Sequence, residues 1–120
     1  MLVTGSMIAM IAVVLGAFGA HALKKRFEGT NYAETWDTAV KYQMYHALGL
    51  MVIGILKMDA IIGPKAIFNT ASTLMLIGII LFSGSLYILT LTGVKKLGAI
   101  TPLGGLCMIA AWICVAIGVA

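Results

Sequence analysis

Four long runs of predominantly apolar residues, about 2–23, 39–56, 66–92 and 101–119, occupy most of this 120-residue chain. An α-helix needs roughly 17–25 such residues to cross about 30 Å of hydrocarbon. Backbone in that environment must satisfy its own N–H and C=O groups, so runs of this length have to be helices. The expected fold is therefore all-α: a polytopic membrane protein, residues 1–120 forming one four-transmembrane-helix bundle with nothing left over for a soluble domain. Composition decides against an unusually apolar soluble protein. The chain is 62% hydrophobic and 10% charged with a mean hydropathy of +1.09, whereas soluble domains are roughly half apolar and a quarter charged.

The connections carry the punctuation. Lys24-Lys25-Arg26 closes the first run, because three adjacent cations are too costly in hydrocarbon. Asn31 followed by Glu34 has the N-cap and N3 spacing of a capping box, and Tyr32 and Trp36 follow at helical spacing. A short interfacial helix is expected there, between helices 1 and 2 and leading into the second span. Gly63-Pro64 reverses the chain, and Thr101-Pro102 reads as an N-cap with proline at N1. The first run ends in Ala20-His21-Ala22, superficially a leader cleavage site. No positive segment precedes it, and its length suits a retained span.

Six of the eight basic residues, Lys24, Lys25, Arg26, Lys41, Lys95 and Lys96, flank the 1–2 and 3–4 connections, against Lys57 and Lys65 in the middle one. The positive-inside rule then puts both termini on the extracytoplasmic side. The net charge of +4 reports that orientation and contact with membrane lipids; no basic run with interleaved aromatics suggests a nucleic-acid surface.

On helix 1, Gly5, Ala9, Ala12, Gly16 and Gly19 fall within about 80° of one another at 100° per residue. This small-residue stripe is a helix-packing face, for use inside the protomer or between copies. On helix 2, Tyr42, Gln43, His46 and Gly49 share an arc, and on helix 3 Asn69, Ser72, Ser83, Tyr87 and Thr90 do. Polar stripes in lipid should point inward. With Thr101 at the start of helix 4, the residues Tyr42, Gln43, His46, Ser83, Tyr87 and Thr101 are expected to converge on a ligand-binding cavity in the cytoplasmic half. The structural alternative is that they hydrogen-bond one another and leave no cavity.

Absences narrow the chemistry. Glu28, Glu34, Asp37 and Asp59 all read as connection residues, so no span holds the carboxylate that proton-coupled antiport requires. Ser83-Gly84-Ser85 has no acid or base beside it to complete a hydrolytic triad. His21 and His46 have no carboxylate or cysteine to support a metal site. Cys107 and Cys114 lie on one helix about 10 Å apart along its axis, too far to bridge. No catalytic residue, metal or cofactor is expected.

Four ordered segments, Leu15-Gly16-Ala17-Phe18-Gly19-Ala20-His21-Ala22-Leu23, Tyr42-Gln43-Met44-Tyr45-His46-Ala47-Leu48, Phe82-Ser83-Gly84-Ser85-Leu86-Tyr87 and Leu97-Gly98-Ala99-Ile100-Thr101-Pro102-Leu103-Gly104-Gly105, closely resemble a family of small bacterial membrane proteins. It is domain-of-unknown-function family 423, with eukaryotic relatives called transmembrane protein 256. The resemblance implies a four-span protein of the bacterial cell membrane and brings no activity with it. The leading expectation is a non-enzymatic component that forms a homo-oligomer or binds another membrane protein. The alternative is a transport or lipid-handling protein with a polar cavity in the cytoplasmic half.

Overall fold

A computed structural model describes all 120 residues. The helices are α1 (Leu2–His21), α2 (Tyr32–Leu56), α3 (Ala66–Ile79), α4 (Ser85–Thr92) and α5 (Thr101–Val119). A π-helical segment, Ile80–Gly84, joins α3 to α4, so that Ala66–Thr92 is one continuous third span. A 3-10 turn, Lys95–Ala99, leads into α5. Four helices are thus long and apolar enough to cross a membrane.

The first connection differs from the expectation. No separate helix lies between α1 and α2: residues 22–29 are turns, and α2 runs unbroken from Tyr32 rather than from Ala39. Its 25 residues span about 38 Å at 1.5 Å each, longer than the ~30 Å hydrocarbon. Glu34 and Asp37 are therefore helical, and Asp37 pairs with Lys41 one turn on at 2.8 Å. Asn31 makes no side-chain cap. Instead Tyr32 N–H donates to the Thr30 hydroxyl at 3.2 Å, because Asn31 is already turned to φ −91°, ψ 12°, outside the extended geometry an N-cap side chain needs. Thr101 is likewise the first helical residue of α5 and not its cap.

Packing is sequential. α1 lies along α2, α2 against the third span, and α5 against α3 and the π segment. The transverse extents of 26 and 16 Å describe a flattened array and not a square bundle. The main core joins α2, α3 and α5 through Leu50, Ile53, Phe68, Met75, Met108 and Ala111. A smaller one, Leu23, Phe27 and Trp36, fastens the first connection onto the bundle.

The small-residue stripe of α1 is spent inside the protomer. A methyl at Gly5 would come within 2.6 Å of Met51 Cγ and 2.7 Å of Ala47 O, and one at Gly16 within 3.2 Å of Val40 Cγ1. At Gly19 it would collide with the Trp36 ring. Ala12 is fully buried and Ala9 partly so. Gly78 and Gly104 form the other close crossing: a methyl on Gly104 would sit 2.9 Å from Gly78 O and Leu81 C, so the backbones of the third span and α5 touch directly. The third span stops at Gly93, whose φ of 75° lets its N–H turn back to Leu89 O at 2.7 Å.

Candidate functional site

Trapped polar groups need partners, and the centre of this protein is organised by that requirement. Gln43 of α2 donates through Nε2 to Ile8 O of α1 at 3.0 Å and accepts at Oε1 from the Tyr87 hydroxyl of α4 at 2.6 Å. One buried amide therefore ties three helices together. Beside it, Ser83 in the π segment donates to Ala39 O at 2.7 Å. The π segment that carries Ser83 inserts an extra residue into the helix, a feature frequent at functional sites. It also breaks the register of the third span, so the expected stripe from Asn69 to Thr90 is not continuous. Asn69 is exposed and accepts from Lys57 Nζ at 2.6 Å, whereas Ser72 is buried and donates within its own helix to Phe68 O.

His46 lies about 60° round α2 from Gln43 and meets α5 instead. Tyr42 O, 2.7 Å from Nδ1, can only accept, so Nδ1 carries the proton. Nε2 is then the acceptor for Trp112 Nε1–H of α5 at 3.1 Å. Both ring nitrogens are engaged, which leaves neither for a metal or a proton relay. Tyr42 is partly exposed and stacks on Phe82 with centroids 4.6 Å apart. Thr101 shares a 2.6 Å hydrogen bond with Ser85. No buried side-chain nitrogen or oxygen lacks a partner.

A groove of about 330 Å³ runs between α1 and the third span. It lies where α1, which packs chiefly along α2, stands off from the third span. Ile8, Ile11 and Leu15 form one wall, and Leu76, Ile79 and Ile80 the other. Gln43, Ser83 and Tyr87 lie at its floor, with Gly84 beside them. Ile11 and Ile80 on the rims are exposed, so the groove opens sideways. Of the six residues expected to share a cavity, these three do so; the others lie outside it, Tyr42 on Phe82, His46 against Trp112 of α5 and Thr101 against Ser85 of α4.

Chemically the arrangement suits binding of an apolar chain. Neither Ser83 nor Ser85 has a histidine or carboxylate partner, and no three of His, Cys, Asp and Glu cluster. Sequence reasoning passed over Trp112 and Phe82. An indole N–H in the middle of an apolar span needs an acceptor, and that signal points from Trp112 to the one histidine at its depth.

The family described as "Protein of unknown function (DUF423)" matches residues 15–105. The UPF0382 membrane protein YwdK of Bacillus subtilis is 48% identical over 116 residues, covering 97% of this chain and 92% of its own length. The UPF0382 membrane protein SSP2132 of Staphylococcus saprophyticus is 45% identical over 118 residues, covering 98% and 93%. No solved structure matches the chain.

Proposed function

The chain belongs to the DUF423 family of multi-pass bacterial membrane proteins, and from that premise we propose that it is a non-enzymatic component that holds the apolar chain of a membrane amphiphile in the groove beside α1. The observation that carries this is the groove itself: an apolar slot open to the side, with a floor of polar groups that are already satisfied and so impose no cost on an apolar occupant. Lys24, Lys25, Arg26, Lys95 and Lys96 sit around one end of the bundle and Lys57 and Lys65 around the other. With the richer end cytoplasmic and both termini extracytoplasmic, the groove floor belongs to the cytoplasmic half. The first turns of α2, with Tyr32 and Trp36, lie at that interface.

A phospholipid carrying a photoactivatable acyl chain tests this reading. Crosslinks should concentrate on residues 8–15 and 76–87. Labelling spread evenly over the lipid belt, including the exposed Leu103, Leu106, Ile109, Ile113 and Ile117 of α5, would discard it. That α5 ridge also favours a second reading, a homo-oligomer or a contact with another membrane protein. The α1 stripe is engaged by α2, so such a contact would use α5, and single-molecule subunit counting in lipid would report it.

A further inference from the structure

Arg26 is exposed, yet its guanidinium is held in place: Nη2 donates to Leu91 O at the end of α4, 2.6 Å away. The bond reaches across from the first connection to the third span, 65 residues on. Leu91 lies one helical turn, about 6 Å, beyond Tyr87 on the same helix face, and Tyr87 marks the end of the groove floor. The cation therefore stands just past the end of the apolar slot, at the depth where the third span leaves the hydrocarbon through Gly93, Lys95 and Lys96.

Arg26 has no carboxylate within 4 Å, since the chain's ion pair at that range is Lys41 with Asp37. One of its five N–H donors is used within the protein, and the remainder form a planar fork suited to a phosphate. Resting on a terminal helix carbonyl is also favourable for a cation, which fixes the fork at low entropic cost. An apolar slot that ends at a positioned, unneutralised guanidinium is complementary to one kind of molecule. We infer that the site takes an anionic phospholipid, its acyl chain along the α1 groove and its phosphate on Arg26.

This inference rests on the groove reading above, and it adds the class of head group and the direction in which the lipid lies. The other cations of that end without an ion pair, Lys24, Lys25, Lys95 and Lys96, attract anionic surfaces generally. Arg26 differs from them in being tied to the end of the groove.

The test is native mass spectrometry of the purified protein titrated with phosphatidylglycerol or with phosphatidylcholine of the same acyl chains. The wild-type protein should retain phosphatidylglycerol in preference. Arg26→Gln still offers Leu91 O a donor but loses the charge. It should lower that preference about fivefold, the effect of one basic side chain at an anionic surface, and reduce phosphatidylcholine retention less, because the choline cation already balances that phosphate. Lys25→Gln should change the preference less. Gly84→Leu adds bulk on the edge of the groove, where an added methyl meets nothing within 4 Å, and it should reduce retention of both lipids. Equal retention of the two lipids by the wild type, or equal effects of Arg26→Gln and Lys25→Gln, overturns the head-group assignment and leaves the groove reading intact. Unaltered retention of both lipids by Gly84→Leu overturns the groove reading and, with it, this one.

Discussion

Replacing Gly104 by alanine should damage this protein far more than the same change at its neighbour Gly105. A methyl group on Gly104 would lie 2.9 Å from Gly78 O and from Leu81 C, and nearer still to Phe82 N, where ordinary contact begins at about 3.4 Å. All three neighbours are backbone atoms, so no side-chain rotation relieves the collision, and α5 has to retreat from the third span. A methyl on Gly105 meets only Phe82 Cδ2, at 3.9 Å. Both substitutions gain the same ~1 kcal/mol of helix propensity, so the difference between them isolates the collision. Overpacking a close contact costs about 1–3 kcal/mol, and that is the expected gap between the two variants. Unfolding by SDS titration in mixed micelles measures it, followed by the fluorescence of Trp36 and Trp112, which pack against Gly19 and Gly49. Stabilities agreeing within about 0.5 kcal/mol, the range of an uninvolved surface change, would show that the two backbones do not touch and that the Gly78–Gly104 crossing is misplaced.

The α1 stripe gives a second contrast: Gly16→Leu should lower thermal stability in detergent more than Leu15→Ala, because Gly16 faces Val40 at close range while Leu15 lines the groove. Equal and mild effects would mean that α1 does not pack through its small residues. Tyr87→Phe leaves Gln43 Oε1 without its donor and should cost about 0.6–1.7 kcal/mol, the range for hydrogen bonds between membrane helices; no change in SDS unfolding would argue that Gln43 has another partner. For orientation, cysteine near Asp59 should react with an impermeant maleimide in intact cells and cysteine near Gly29 should not, both read in a background lacking Cys107 and Cys114. The reverse pattern would move the polar floor to the outer leaflet.

The sequence alone determined the class of this protein and the number of its helices, because hydrocarbon admits so few backbone solutions that four apolar runs of this length can be read only one way. The α1 stripe was legible for the same reason: five small residues on one face announce a close neighbour. What the stripe packs against was not, since an α2 of the same chain and a helix of another copy make equal demands on glycine. The six polar positions were recognisable as inward-facing, yet their division was decided by tertiary structure. Gln43 and His46 are three residues apart, about 60° round the helix, and in a flattened array that angle separates the α1 groove from the α5 contact. The π segment at Ile80–Gly84 has no signature in hydropathy. It shifts everything beyond it by one residue, so although Ser83 and Tyr87 share a face in the sequence, only the folded chain could seat them against Gln43 on one floor and set Arg26 at its end.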